Sequence, residues 1–240
     1  MRRFITTFIF LLFSVVALAQ TTTEGTLKFL GIPIDGTEEI MIAQIKRKGF
    51  RYDSYRDCLR GQFNGKDVEV YVVTNHNVVD RIYVAYPVMS ESQVVSEYNI
   101  LLGQFEQNKK YIALKENERI PYNEDLSYEM SVNNKKYGAS FMYISPDLFT
   151  EKEIDFLHAL KEKVEGMSSD DEVQAMSQAM ADSLQTRTSQ LSIEDTMKAL
   201  NKFMSLFSGS VWFTVHERYG NYQIGIYYDN LKNRPNGEDL

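Results

Sequence analysis

The chain has 240 residues and a formal net charge of −7, and 43% of its residues are hydrophobic. A net negative charge argues against a nucleic-acid backbone or an anionic membrane surface as the main partner. The single cysteine, Cys58, excludes an internal disulfide, so a hydrophobic core must hold the fold together. The length fits one large domain or two small ones.

The N-terminus has the pattern of a secretory signal peptide. Two arginines precede an apolar run that ends in Ala17-Leu18-Ala19, the small-x-small pattern that signal peptidases cut after. The alternative is an uncleaved anchor, but the run from Phe4 is shorter than the roughly 20 residues of a spanning helix. We expect residues 1–19 to be removed. The product would be periplasmic or secreted, without a transmembrane span and, because no cysteine stands at the cleavage point, without a lipid anchor.

The segment "GIPIDGT" at residues 31–37 precedes the first helical pattern. Pro33 favours an extended chain, Gly36 allows a turn, and Thr37 can cap a helix over residues 37–48. The Asp-Gly pair lacks the context of a phosphate-binding loop. We therefore interpret the segment as a structural lead into the helix, with Thr37 contributing about 1 kcal/mol as the cap.

Alternating apolar residues over positions 58–86 predict an antiparallel meander of three strands. The runs are separated by Asn64-Gly65 and by Asn75-His76-Asn77, both typical of hairpin turns. Ser90 and Gln93 have the capping-box spacing, which predicts a second helix across the meander. These elements form an N-terminal unit over residues 20–115.

A charged connection around Pro121 indicates the boundary of a C-terminal unit, residues 116–240. Alternation over residues 126–132 predicts a strand that ends at Asn133-Asn134, which tolerate positive φ in a turn. Thr150 and Glu153 have the capping-box spacing for a helix over residues 150–165.

Residues 166–207 are rich in Met, Gln and Ser and carry two apolar stripes at helical spacing. We interpret them as a helical insertion ahead of two final strands that join at Gly220-Asn221. Deleting residues 168–206 should therefore leave a folded sheet. The fold class is α+β: antiparallel meander sheets packed against helices, in two similar halves, with the insertion in the second half.

Patterns typical of catalytic, metal or cofactor sites are missing from the sequence. The histidines His76, His158 and His216 lie in a turn, a helix and a strand, without the spacing of metal ligands. Neither a nucleophile elbow nor a phosphate-binding glycine motif occurs. Cys58 is expected to be a small buried group. We assign no catalytic, metal-binding or cofactor-binding residue and expect no cofactor.

The final two strands carry aromatic residues on both faces. Trp212 and His216 share one face, and Tyr227 lies on the neighbouring strand. In one interpretation the inserted helices cover this face. In the other, Trp212, His216 and Tyr227 form a partner-binding surface, since Trp and Tyr are enriched at binding hot spots.

Several segments share a pattern with known sequences: "LKFLGIPIDGTEEIMIAQIKRKGF", "LRGQFNGKDVEVYVVTN", "QFEQNKKY", "EDLSYEMSVNNKKY", "VWFTVHERYG" and "IYYDNLKNRPNGEDL". Together they resemble a family of exported proteins of unknown function from Bacteroidota-type bacteria. The resemblance covers most of the chain after the signal peptide and implies no activity, cofactor or catalytic residue. The order of helices and strands is also similar to beta-lactamase-inhibitor-like and outer-membrane-assembly-accessory small domains, a likeness of architecture alone.

These observations favour a non-catalytic binding or interaction module of the cell envelope. Its partner would be a protein or another envelope component, and nucleic acid is not expected. The alternatives are a hydrolase acting on envelope glycans or peptides, which needs convergent carboxylates or a nucleophile with its base, and a purely structural envelope protein. The sequence leaves the oligomeric state open.

Overall fold

The computed structural model describes residues 25–113, 117–165 and 193–234. Within these ranges it contains five helices and ten strands, an α+β fold as predicted. The helices are α1 (Glu38–Arg47), α2 (Glu91–Gln107), α3 (Leu126–Ser131), α4 (Glu151–Glu165) and α5 (Ile193–Ser205). The strands are β1 (Lys28–Phe29), β2 (Ile32–Pro33), β3 (Arg51–Asp53), β4 (Cys58–Phe63), β5 (Lys66–Asn75), β6 (Val78–Ala85), β7 (Tyr111–Ala113), β8 (Gly138–Tyr143), β9 (Gly209–Arg218) and β10 (Asn221–Asn230). The predicted signal peptide lies outside the described residues.

Eight of these strands form one antiparallel sheet in the order β3-β4-β5-β6-β10-β9-β8-β7, and β1 and β2 pair separately as a small hairpin. The centre of the sheet is the pairing of β6 with β10, which joins strands from either side of residue 115. The division of the chain into units at that residue stays a prediction.

The main core lies between one face of the sheet, which we call the helix face, and helix α2. Aromatic rings of α2 pack on strands β9 and β8: the centroids of Tyr98 and Phe213 are 5.3 Å apart, and those of Phe105 and Phe141 are 5.1 Å apart. Helix α1 contributes Met41 and Ile45, both fully buried. Each such side chain stabilises the fold by about 1.5–3 kcal/mol relative to an exposed one.

The predicted meander is confirmed as strands β4, β5 and β6. Its turns contain the expected residues with positive φ: Asn64 at 51° and Gly65 at 74°, then His76 at 49° and Asn77 at 64°. Asn and Gly accept this left-handed conformation at low cost, which is why the turns could be located from sequence. Strand β3, only three residues long, was not predicted.

The capping box predicted at Ser90 is confirmed, and the Thr150–Glu153 pair forms one of the two hydrogen bonds of such a box. The Ser90 backbone N–H donates to Gln93 Oε1 at 3.0 Å at the start of α2, and the Thr150 N–H donates to Glu153 Oε2 at 2.8 Å before α4. The cap predicted for α1 is wrong in one respect. Thr37 has the extended backbone of an N-cap, but its side chain makes no capping hydrogen bond.

The strand predicted over residues 126–132 is wrong, because these residues form helix α3. Asp125 Oδ1 accepts a hydrogen bond from the Tyr128 backbone N–H at 2.9 Å, and Glu91 Oε1 accepts one from the Leu126 N–H at 3.0 Å. The capped start stabilises a helix here, although the apolar residues alternate as they would in a strand. The turn that follows does contain a residue with positive φ, Asn134 at 53°.

The segment at residues 31–37 contacts the last residue of strand β10. Pro33 pairs with Lys28 in the β1-β2 hairpin, and Gly36 has a φ of 78°. Asn230 donates from Nδ2 to the Ile34 carbonyl at 2.7 Å. These contacts give the segment a structural role that ties β2 to the end of β10.

Of the predicted helical insertion, the structure describes helix α5. A second, smaller hydrophobic cluster joins this region to the β7-β8 end of the sheet. It contains Ile112, Ile144, Phe149, Ile154 and Leu206. The first predicted stripe of the insertion lies outside the described residues.

Candidate functional site

Four aromatic rings cross the face of the sheet opposite α2. They belong to Tyr71 on β5, Tyr83 on β6, Tyr227 on β10 and Trp212 on β9, which are directly paired in register. Their ring centroids are separated in that order by 5.6, 4.7 and 3.8 Å, with interplanar angles of 28°, 25° and 6°. We call this row the aromatic ladder and its side of the sheet the ladder face. All four residues are partly exposed.

The ladder exists because directly opposed residues in antiparallel strands share a face. One aromatic residue in the same row of four adjacent strands therefore gives a continuous stack. Offset stacking of such rings contributes about 0.5–1.5 kcal/mol per pair beyond the area that they bury.

An ion pair fixes the tryptophan end of the ladder. Asp229, 2% exposed, accepts hydrogen bonds from Arg81 Nε at 2.5 Å and Nη2 at 3.0 Å, and from Trp212 Nε1 at 3.0 Å. The Arg81 guanidinium also lies 5.6 and 5.3 Å from the ring centroids of Trp212 and Tyr227, within cation–π range. The hydrogen bond to Asp229 raises the pKa of Arg81. Trp212 is therefore held in a single orientation.

A glutamate holds the other end. Glu69 accepts a hydrogen bond from the Tyr71 hydroxyl at 2.9 Å and pairs with Arg56 at 2.5 Å, and Arg60 Nε lies 3.7 Å away. Burial, and then the bond to Glu69, raise the pKa of Tyr71. The Tyr71 hydroxyl is thus a proton donor at neutral pH, and the negative charge of Glu69 is offset by two arginines.

His216 lies beside the ladder, with Nε2 3.2 Å from the Tyr227 hydroxyl. Burial lowers the pKa of His216, and the nearby charge of Arg218 lowers it further. The imidazole is therefore neutral at pH 7, so Arg218 is the cation at this position.

A depression of about 460 Å³ adjoins the ladder at the end of the sheet where β9 turns into β10. It is lined by Glu69, Tyr71, Tyr83, Ala85, Val88, Arg218, Tyr219, Asn221 and Gln223. Its size is within the roughly 300–1,000 Å³ typical of ligand pockets. We call it the Arg218 pocket.

Arginine is concentrated on the ladder face although the chain is acidic. Eight arginines fall within the described residues. Six of them either occupy strand positions whose side chains are on the ladder face or pair with a carboxylate of that face. These are Arg51, Arg56, Arg60, Arg81, Arg218 and Arg234. Arginine presents a planar set of donors that matches carboxylate geometry, so this face differs in charge from the molecule as a whole.

The structure brings together the three residues that the sequence indicated, Trp212, His216 and Tyr227. Whether they bind a partner stays a prediction. Sequence reasoning missed Tyr71 and Tyr83, although the alternation of β5 and β6 already places them opposite the buried valines. It could not show that these strands adjoin β10.

Other candidate groups lie in different surroundings. Cys58 is buried in β4, as expected, and burial raises its pKa. Burial also raises the pKa of Asp80, whose Oδ1 is buried without a hydrogen-bond partner. Within the described ranges, no three His, Cys, Asp or Glu residues are placed to hold a metal ion. A helix long and apolar enough to cross a membrane is likewise not found in that part of the chain.

Comparison of the chain with protein-family models, with curated proteins and with solved structures gives no match. The site must therefore be interpreted from its own geometry.

Proposed function

We propose that this protein is an exported, non-catalytic binding module of the cell envelope, and that the ladder face is its binding surface. The observation that carries the proposal is the aromatic ladder itself. Four partly exposed rings lie in register at the centre of a sheet, together with arginine side chains. Trp, Tyr and Arg are the residues most enriched at binding hot spots.

The rigidity of the ladder supports this function. Each ring contacts its neighbours, and Asp229 and Glu69 fix the Trp212 and Tyr71 ends through hydrogen bonds. Binding a partner therefore costs little conformational entropy, because the side chains are ordered beforehand. The position of the rings on strands rather than on loops adds to this preorganisation.

The contacts of the acidic groups on the face support a non-catalytic role. Asp229 and Glu69 both accept hydrogen bonds from arginine, and each also accepts one from an aromatic side chain of the ladder. These two carboxylates thus orient aromatic and arginine side chains, and the predicted signal peptide supports an envelope location.

The proposal is tested by capture from a cell-envelope extract, with the chain from Gln20 as bait. Tyr227→Ala removes a central ring, and Tyr122→Ala, at a tyrosine that is 78% exposed outside the ladder, is the matched control. We expect Tyr227→Ala to abolish the enrichment of a bound component and Tyr122→Ala to leave it unchanged.

Both variants must first show the circular dichroism spectrum and cooperative unfolding of the wild type. Equal enrichment by Tyr227→Ala and the wild type would contradict the assignment of the surface. No enrichment over a heat-denatured bait would contradict the binding function.

A further inference from the structure

The Arg218 pocket lies beside the ladder, where two central strands carry small residues. In the row next to the rings, Ala85 on β6 lies opposite Gly225 on β10. A Cβ at Gly225 would come 2.7 Å from Cε2 of Tyr83, so the tyrosine ring leans over the glycine. Only glycine allows this approach, and the ring forms one wall of the pocket.

A second wall is the β9-β10 turn, which presents Arg218 close to the Tyr83 hydroxyl. Arg218 Nε donates to Gln223 Oε1 at 3.2 Å, while Gln223 Nε2 donates to the Tyr86 carbonyl at 2.7 Å. The hydrogen bond to the Tyr86 carbonyl thus fixes the amide of Gln223, and this amide in turn orients the guanidinium of Arg218. The terminal nitrogens of Arg218 form no salt bridge with a carboxylate of the described residues.

The charge of the pocket favours an anionic ligand. Its carboxylate, Glu69, is offset by Arg56 and Arg60, whereas Arg218 has no carboxylate partner among the described residues. An arginine that is oriented in advance is suited to bind a carboxylate through two parallel hydrogen bonds. A single guanidinium matches a single carboxylate, so a monoanionic group fits best.

The remaining lining indicates the body of the ligand. It combines the tyrosine rings of Tyr71, Tyr83 and Tyr219 with the amides of Asn221 and Gln223. A purely apolar ligand would desolvate the charged and amide groups without giving them hydrogen-bond partners, which costs binding free energy. A peptide added as a strand needs a free sheet edge, and this pocket lies over the inner strands β5, β6 and β10. A ring with both C–H groups and hydroxyls suits tyrosine and amide walls.

We propose that the Arg218 pocket binds an acidic saccharide of the uronic-acid type, with its carboxylate on Arg218 and its sugar ring between Tyr83 and Tyr219. This inference rests on the proposed binding function and names the class of ligand for it. The ladder then provides a surface along which the chain of a longer saccharide continues.

Calorimetric titration of the chain from Gln20 with oligogalacturonates tests the proposal, and neutral maltooligosaccharides of equal length are the control ligands. Arg218→Gln removes the charge, and Arg47→Gln, at an exposed arginine on α1, is the matched control variant. We expect binding of the acidic ligand that weakens with added salt and falls about tenfold or more in Arg218→Gln. Arg47→Gln should bind like the wild type.

A second variant tests the shape of the pocket rather than its charge. Ala85→Leu fills the floor with a larger side chain and should also weaken binding of the acidic saccharide. Equal affinity for acidic and neutral saccharides, or an unchanged affinity in Arg218→Gln, would overturn the proposal. If oligogalacturonates do not bind while Tyr227→Ala still loses the envelope component, the ligand class is wrong and the binding function stands.

Discussion

At the scale of single residues, Asp229 has the most concentrated set of contacts on the ladder face. Its carboxylate is almost fully buried and accepts three hydrogen bonds, two from Arg81 and one from Trp212. Arg234 Nη2 lies a further 3.6 Å away. Burying a carboxylate without hydrogen-bond partners is unfavourable, and these donors offset that cost.

Replacing Asp229 by Asn should destabilise the protein by about 3 kcal/mol, because the partly buried Arg81 loses its counter-charge. The indole of Trp212, the single tryptophan of the chain, should lose its fixed orientation at the same time. Urea unfolding followed by tryptophan fluorescence measures both effects. Asp67→Asn, at an exposed position on β5, is the control and should change stability little. Equal midpoints for the two variants would show that the ion pair contributes nothing.

At the scale of elements, local signals located most helices and strands but misassigned residues 126–132. Leu126 and Met130 are spaced i, i+4 and so share a face of helix α3 that packs on the core, while Tyr128 and Val132 are more than half exposed. The same four positions also alternate along a strand, so over seven residues the two periods cannot be told apart. The helix cap at Asp125 decides between the two periods. The sequence allows a hydrogen bond from the Tyr128 N–H to Asp125, but only the folded structure shows that it forms.

The two helix starts that differ in capping give a matched pair of substitutions. Asp125→Ala removes a side chain that accepts the Tyr128 N–H and should cost about 1 kcal/mol of unfolding free energy. Thr37→Ala removes a side chain without a capping bond and should cost less, against the sequence-based expectation. Chemical denaturation of both variants measures the difference. A larger loss for Thr37→Ala would show that the α1 start depends on the threonine after all.

At the scale of the whole molecule, the ladder depends on a pairing between distant parts of the chain. The Arg81–Asp229 contact joins residues 148 positions apart, and the β6–β10 register decides which side chains meet. Sequence periodicity predicts which face a residue occupies within its own strand, but it contains no information on which strands adjoin. Trp212, His216 and Tyr227 could be grouped because β9 and β10 are consecutive, whereas Tyr71, Tyr83 and Arg81 could not be added to them.

The position of the sheet and the main core relative to the predicted insertion leads to a test on the entire fold. Among the described residues, the eight strands of the sheet and the main core cluster lie outside residues 168–206. The second cluster does include Leu206, the last residue of this range, and Lys202 Nζ within the range pairs with Glu153 at 2.6 Å.

Replacing residues 168–206 by a short Gly-Ser linker should therefore leave a single cooperative thermal transition at a lower midpoint. The midpoint falls because α4 loses Lys202 and the second cluster is disturbed, while the described residues of the main core cluster are all retained. Circular dichroism and Trp212 fluorescence should report the same transition, since the tryptophan belongs to the sheet. Leu206→Ala in the full chain is the control, because it weakens the second cluster without removing the segment. A gradual, non-cooperative melt of the linker variant would mean that the segment is part of the folding unit and not an insertion into it.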